Sequence, residues 1–133
     1  MKNSCYTYFK IVGQFNTDDI SDILGLTPEE KWDIGDERKN GSEFDFANWS
    51  IGYCNDYDID TEVQMEKTIS KLMDKKEELK QIREKYDVEF YLEVVPTLCV
   101  EESTPALAPS MAVIDFCYET RTQIDIDLYF DED

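Results

Sequence analysis

Two stretches of this chain bring carboxylates to spacings at which carboxylates do chemistry. Asp125 and Asp127 alternate with Ile124, Ile126 and Leu128. In a strand they project from one face about 7 Å apart, close enough to share a divalent cation or a basic side chain of a partner. Asp56, Asp58 and Asp60 have the spacing that opens a calcium loop. However, Thr61 stands where such a loop needs glycine for its sharp turn, and Lys67 where it needs a bidentate glutamate. As plain charges they favour the start of the helix that follows, with no metal required. The DxD pair has no phosphate-cradling glycine loop beside it. There is no histidine to act as a base, no GxSxG turn, and no cysteine with a candidate activating partner. No catalytic residue, metal ligand or cofactor is assigned on these grounds. A metal-dependent enzyme resting on Asp125 and Asp127 stands as a third reading behind two kinds of binding protein.

The second group is aromatic. Trp32, Gly35 and Asp36 fall in an aperiodic stretch from Lys31 to Asn48, and Trp49 lies in the strand that resumes there. Loops of this length that keep aromatic residues are more often functional than idle. A loop tryptophan beside a strand tryptophan can form an apolar wall with an indole donor, suited to a small ligand or a peptide. The competing arrangement places Trp49 in the core with Trp32 pinning the loop over it.

Regular elements must position these groups. The longest is Thr61–Tyr86, where Met65, Ile69, Leu72, Leu79, Ile82 and Tyr86 recur at helical spacing, with Thr61 and Gln64 as a capping box. Its single stripe predicts one helix roughly 38 Å long lying across a sheet. Lys76 falls inside the stripe, where its stem can lie along apolar surface. Before it come a strand from Tyr6 to Val12, apolar on both faces and so central, and a helix starting at Thr17 and ending at Gly25. One further helical turn is expected at Thr27–Glu30, and then a strand over Phe44–Cys54 with Trp49, Ile51 and Tyr53 on one face. After the long helix come a half-buried strand from Asp87 that meets Pro96, a helix capped by Ser110, and a final strand from Gln123 to Phe130. These elements predict a single α+β domain. Its sheet is mixed or mostly antiparallel with four to five strands, and a long central helix and two shorter ones pack mainly on one face.

With 133 residues the chain fits one domain. Acidic residues outnumber basic ones 31 to 13, for a net charge of −18. Between Glu62 and Lys85 seven basic residues meet six acidic ones, so the excess lies elsewhere. Such a surface repels nucleic acid and anionic lipid and attracts basic partners in a salt-dependent way. No apolar run reaches the roughly twenty residues of a membrane span. Four scattered cysteines without a CxxC pair, and an opening MKNSCYTYF without an apolar leader, lead us to expect buried reduced thiols and a cytoplasmic protein. Pro105–Val113, PALAPSMAV, suits either a buried turn or a contact between two copies of the chain, so a homodimer stays open.

A wider pattern emerges: an opening strand ending in glycine, an Asp-rich helix with LGLTP, W-x-x-G-D, a tryptophan–serine strand and a closing IDIDLY. In this the chain resembles the DUF4279 family of small bacterial proteins. The resemblance spans nearly the whole chain and implies a stand-alone bacterial cytoplasmic domain. In it Trp32, Gly35, Asp36, Trp49, Asp125 and Asp127 match the family's pattern, and it implies no reaction. The expected function is a non-catalytic module that engages a basic partner, of immunity or antidote type. The alternative is a small-ligand domain with a pocket near Trp32 and Trp49.

Overall fold

The computed structural model describes residues 2–56 and 60–131, saying nothing of the side chain of residue 56. Ten elements follow in order: β1 (Ser4–Gln14), α1 (Thr17–Leu24), β2 (Glu30–Trp32), β3 (Ala47–Asp56), α2 (Thr61–Ser70), α3 (Lys76–Lys85), β4 (Asp87–Cys99), α4 (Met111–Thr120), β5 (Thr122–Ile126) and β6 (Tyr129–Asp131). They build a single α+β domain on a mixed open sheet ordered β2-β3-β1-β4-β5, with β6 also beside β4. The pairings are antiparallel from β2 to β4, while β5 and β6 run parallel to β4. A parallel neighbour needs a crossover, and α4 supplies it.

One face of the sheet carries the core. Phe9 and Ile11 of β1, Trp49 and Ile51 of β3, and Phe90 and Leu92 of β4 all point into it. The helices cover this face with Ile20, Leu24, Met65, Ile69, Leu72, Leu79, Ile82, Val113 and Phe116. A buried polar seam locks α2 down. The Thr68 hydroxyl donates to the Gly52 carbonyl at 2.7 Å and lies 2.7 Å from the Thr7 hydroxyl, and Gln64 donates to the Cys5 carbonyl at 2.8 Å.

The expected single long helix is two helices. The stripe residues from Met65 to Ile82 are buried as predicted and Tyr86 is half-buried, but the chain turns between Ser70 and Lys76. Lys76 would lie on the buried face of a straight helix, and the turn instead brings its ammonium 3.1 Å from Glu119 of α4. Capping also differs: Asp60 accepts from the Val63 N–H at 3.2 Å, while Thr61 donates to the Ala106 carbonyl. The turn predicted at Thr27–Glu30 is instead the approach to β2, with Glu30 opposite Ser50.

The final strand is interrupted between Ile126 and Tyr129, and Pro96 explains where. The Asp127 N–H donates to the Val94 carbonyl at 2.9 Å, so by alternation the nitrogen of Pro96 faces the same neighbour. It has no hydrogen to offer the Asp127 carbonyl, and the ladder breaks there. The antiparallel expectation likewise fails at this edge, because α4 returns the chain in the direction of β4. Three cysteines are buried and Cys54 is half-buried, all four as free thiols. The stretch 105–110 is a partly exposed connection into α4.

Candidate functional site

The face of the sheet away from the helices is open, and its centre is built by alternation along β1. With Phe9 and Ile11 buried, Tyr6, Tyr8 and Lys10 face the other way. Lys10 sits opposite Ser50 on one side and Tyr91 on the other, and Tyr8 is opposite Glu93. On β3 the register slips between Thr7 and Phe9, an extra residue at Gly52 and Tyr53. Gly52 has φ 78°, and a Cβ there would lie 2.6 Å from the Thr68 carbonyl, so only glycine allows the bulge beneath α2. The carboxylate of Glu29 accepts from the Gly52 and Tyr53 N–H groups at 2.6 and 3.1 Å. The bulge turns Tyr53 onto the open face, with its ring 5.5 Å from Tyr6, whose ring in turn lies nearly parallel to Tyr8 at 6.1 Å.

Together these residues wall a cleft of about 640 Å³. β1 contributes Tyr6, Tyr8 and Lys10 to its lining, β2 contributes Glu30 and Trp32, and β3 contributes Asn48, Ser50 and Tyr53. The Trp32 ring is held from behind: it stacks on Phe44 at 4.2 Å, its indole N–H donates to the Phe46 carbonyl at 3.1 Å, and the Arg38 guanidinium covers Phe44 at 4.5 Å. Burial, followed by the Glu93 charge, pushes the Tyr8 phenol up to about 12, so it stays a neutral donor at ordinary pH.

Beside the cleft lies a buried acid. Glu93 is 3 % exposed although it points to the open face, and Lys10 is 3.7 Å from it. Burial, and then a hydrogen bond to Asp125 that only the protonated form can donate, push its carboxyl up to about 7 against the pull of Lys10. Asp125 is the register partner of Glu93 on β5.

The residues singled out from the sequence do not assemble as one group. Trp32 lines the cleft. Trp49 is fully buried on the opposite side of the sheet, its indole donating to the Ser21 hydroxyl at 2.9 Å, so the two tryptophans share no wall. Gly35, at φ 92°, and Asp36 make a turn: the Gly35 N–H donates to the Phe44 carbonyl at 2.8 Å and Asp36 accepts from the Asp33 N–H at 2.8 Å. Asp33 in turn holds the start of α1 through the Thr17 N–H and hydroxyl. Asp125 reaches Glu93, whereas Asp127 lies past the end of β5 and accepts from the Tyr129 hydroxyl at 3.0 Å. Of the calcium-like run, Asp58 and the side chain of Asp56 lie outside what is described, and Asp60 caps α2. Among the described residues no three cysteine or acidic side chains converge as metal ligands.

Reading from the sequence missed Tyr6, Tyr8, Lys10, Tyr53 and Glu93. Two phenols and a lysine alternating with Phe9 and Ile11 were the available signal for an open face on a central strand. The bulge that reorients Tyr53 was signalled only by Gly52.

Such an arrangement defines a class: an α+β domain whose helices cover one side of the sheet and leave an open face with aromatic and polar side chains on the other. The chain belongs to the DUF4279 family, a domain of unknown function, whose model matches residues 3–131. Neither a curated protein nor a solved structure matches it. Among the described residues no helix is long and apolar enough to cross a membrane.

Proposed function

We propose that this domain is a non-catalytic cytoplasmic module that engages a basic partner through the open face of its sheet. The observation that carries the reading is the cleft itself. Ring faces of Tyr6, Tyr8 and Tyr53 attract a guanidinium or ammonium, and Glu30 lies beside them. Lys10, the cation in the lining, is drawn toward Glu93, 3.7 Å away. A net charge of −18 adds long-range attraction for a positive partner, such as a basic toxin held by its antidote. The test is calorimetric titration with an Arg/Tyr-rich peptide and its Glu/Tyr-rich counterpart at low and high salt. The basic peptide binds, salt weakens it, and Tyr8→Ala weakens it by about tenfold or more, a loss of roughly 1.4 kcal/mol. Equal binding of both peptides, or no heat from either, contradicts the proposal.

The volume of the cleft supports a second reading, since sites for small molecules span about 300–1,000 Å³. A small flat cation such as an arginine amide that binds as tightly as the whole peptide would favour it.

A further inference from the structure

The edge of the sheet farthest from the cleft carries a second exposed surface. Among the described residues thirteen large apolar side chains are exposed, and seven of them lie on α4 or between Ile126 and Phe130. On α4, Met111, Ile114 and Tyr118 are spaced three and four apart and form a stripe of their own, beside the buried stripe of Val113, Phe116 and Cys117. Glu119 marks the flank of α4 that faces α3, through Lys76. The exposed stripe lies on the other flank, toward the sheet edge. Only Arg121 separates α4 from β5, so the strand runs back along that helix. Ile126 is opposite Val94 and Phe130 opposite Leu98, and both therefore stand on the helix side of the sheet.

The backbone of this edge is open as well. The Asp127 N–H reaches the Val94 carbonyl, which by alternation turns the N–H and C=O of Ile124 and Ile126 away from β4. β5 ends the sheet order, so among the described residues no further strand meets these groups. Asp125 and Asp127 occupy the alternate positions. An open edge of this kind is a template for strand addition.

We propose that the β5 edge accepts an extended segment of a partner protein in which apolar residues alternate with lysine or arginine. Such a segment lays its apolar side over Ile126 and the α4 stripe and its cations beside Asp125 and Asp127. A second copy of this chain fits worse, because it would bring the same aspartates together between two bodies of −18 each. This surface is separate from the cleft and does not depend on the reading given to it.

A synthetic peptide alternating valine and lysine, and its valine–glutamate counterpart, test the proposal through amide hydrogen exchange of the full chain. The valine–lysine peptide slows exchange at Ile124 and Ile126 by about tenfold or more, and the glutamate version leaves both unchanged. Ile126→Pro removes a donor that β4 does not use, so it leaves the fold intact and abolishes the protection at Ile124. The Asp125→Lys, Asp127→Lys double variant abolishes it too, while Tyr8→Ala in the cleft leaves it unchanged. The proposal fails if neither peptide slows exchange, if both do so equally, or if the chain alone protects these amides as its concentration rises and sediments as a dimer.

Discussion

Glu93 is the residue whose surroundings ask most of it. Its carboxyl is raised to about 7 in the folded protein from 4.5 in the open chain. The folded state therefore binds the proton more tightly, and the stabilisation this gives is complete below pH 4.5 and lost as pH rises through 7. With no histidine in the chain, few other groups change charge between pH 5.5 and 8. The melting temperature should fall across that window, by the equivalent of roughly 2 kcal/mol at most. Glu93→Gln should flatten the curve and be the more stable protein at pH 8. A wild-type curve that is level from pH 5.5 to 8 would refute the buried proton. Gly52 makes a second prediction at this scale. A side chain at φ 78° against the Thr68 carbonyl should cost at least about 2 kcal/mol, so chemical denaturation of Gly52→Ala should show a lowered midpoint. Residue chemistry was the least legible level in the sequence. Trp49 and Trp32 are both tryptophans near a loop, and only strand pairing separates them: alternation on β3 sends Trp49 into the core, while Trp32 of β2 stands opposite Asn48, in the cleft. The acid beside the cleft was invisible for a similar reason: Glu93 reads as one more exposed carboxylate until β1 and β5 flank it.

At the scale of elements, periodicity was the reliable signal and continuity was not. Every stripe residue of the predicted long helix from Met65 to Ile82 is buried, yet the helix is broken, because spacing alone does not say whether Lys76 must be buried or can be turned outward. Gly25 and Ser110 cap their helices as expected, since capping depends on neighbours within a few residues. Strand order and direction depend on partners far along the chain, and so the parallel edge formed by α4 and β5 could not be read. Pro96 was recognised as a disturbance, but its effect falls on the neighbouring strand. Pro96→Val should let residue 96 donate to the Asp127 carbonyl and join β5 to β6, a bond worth about 1 kcal/mol. Exchange of the new amide at position 96 should then be slow, and fast exchange there would contradict the account of the break.

For the whole molecule, charge sets the terms. A body of −18 with helices over one side of the sheet resists compaction, so moderate salt should raise its melting temperature even as it weakens a basic partner. The aromatic cleft is the place where that field meets shape. The most direct test is to titrate the Arg/Tyr-rich peptide into the isotopically labelled chain and follow each backbone amide. The account predicts that the largest shifts fall on β1, β2 and β3 around Tyr8, Trp32 and Tyr53, and that helices α2 and α3 stay still. Shifts confined to the helix side, or spread evenly over every acidic patch, would contradict it.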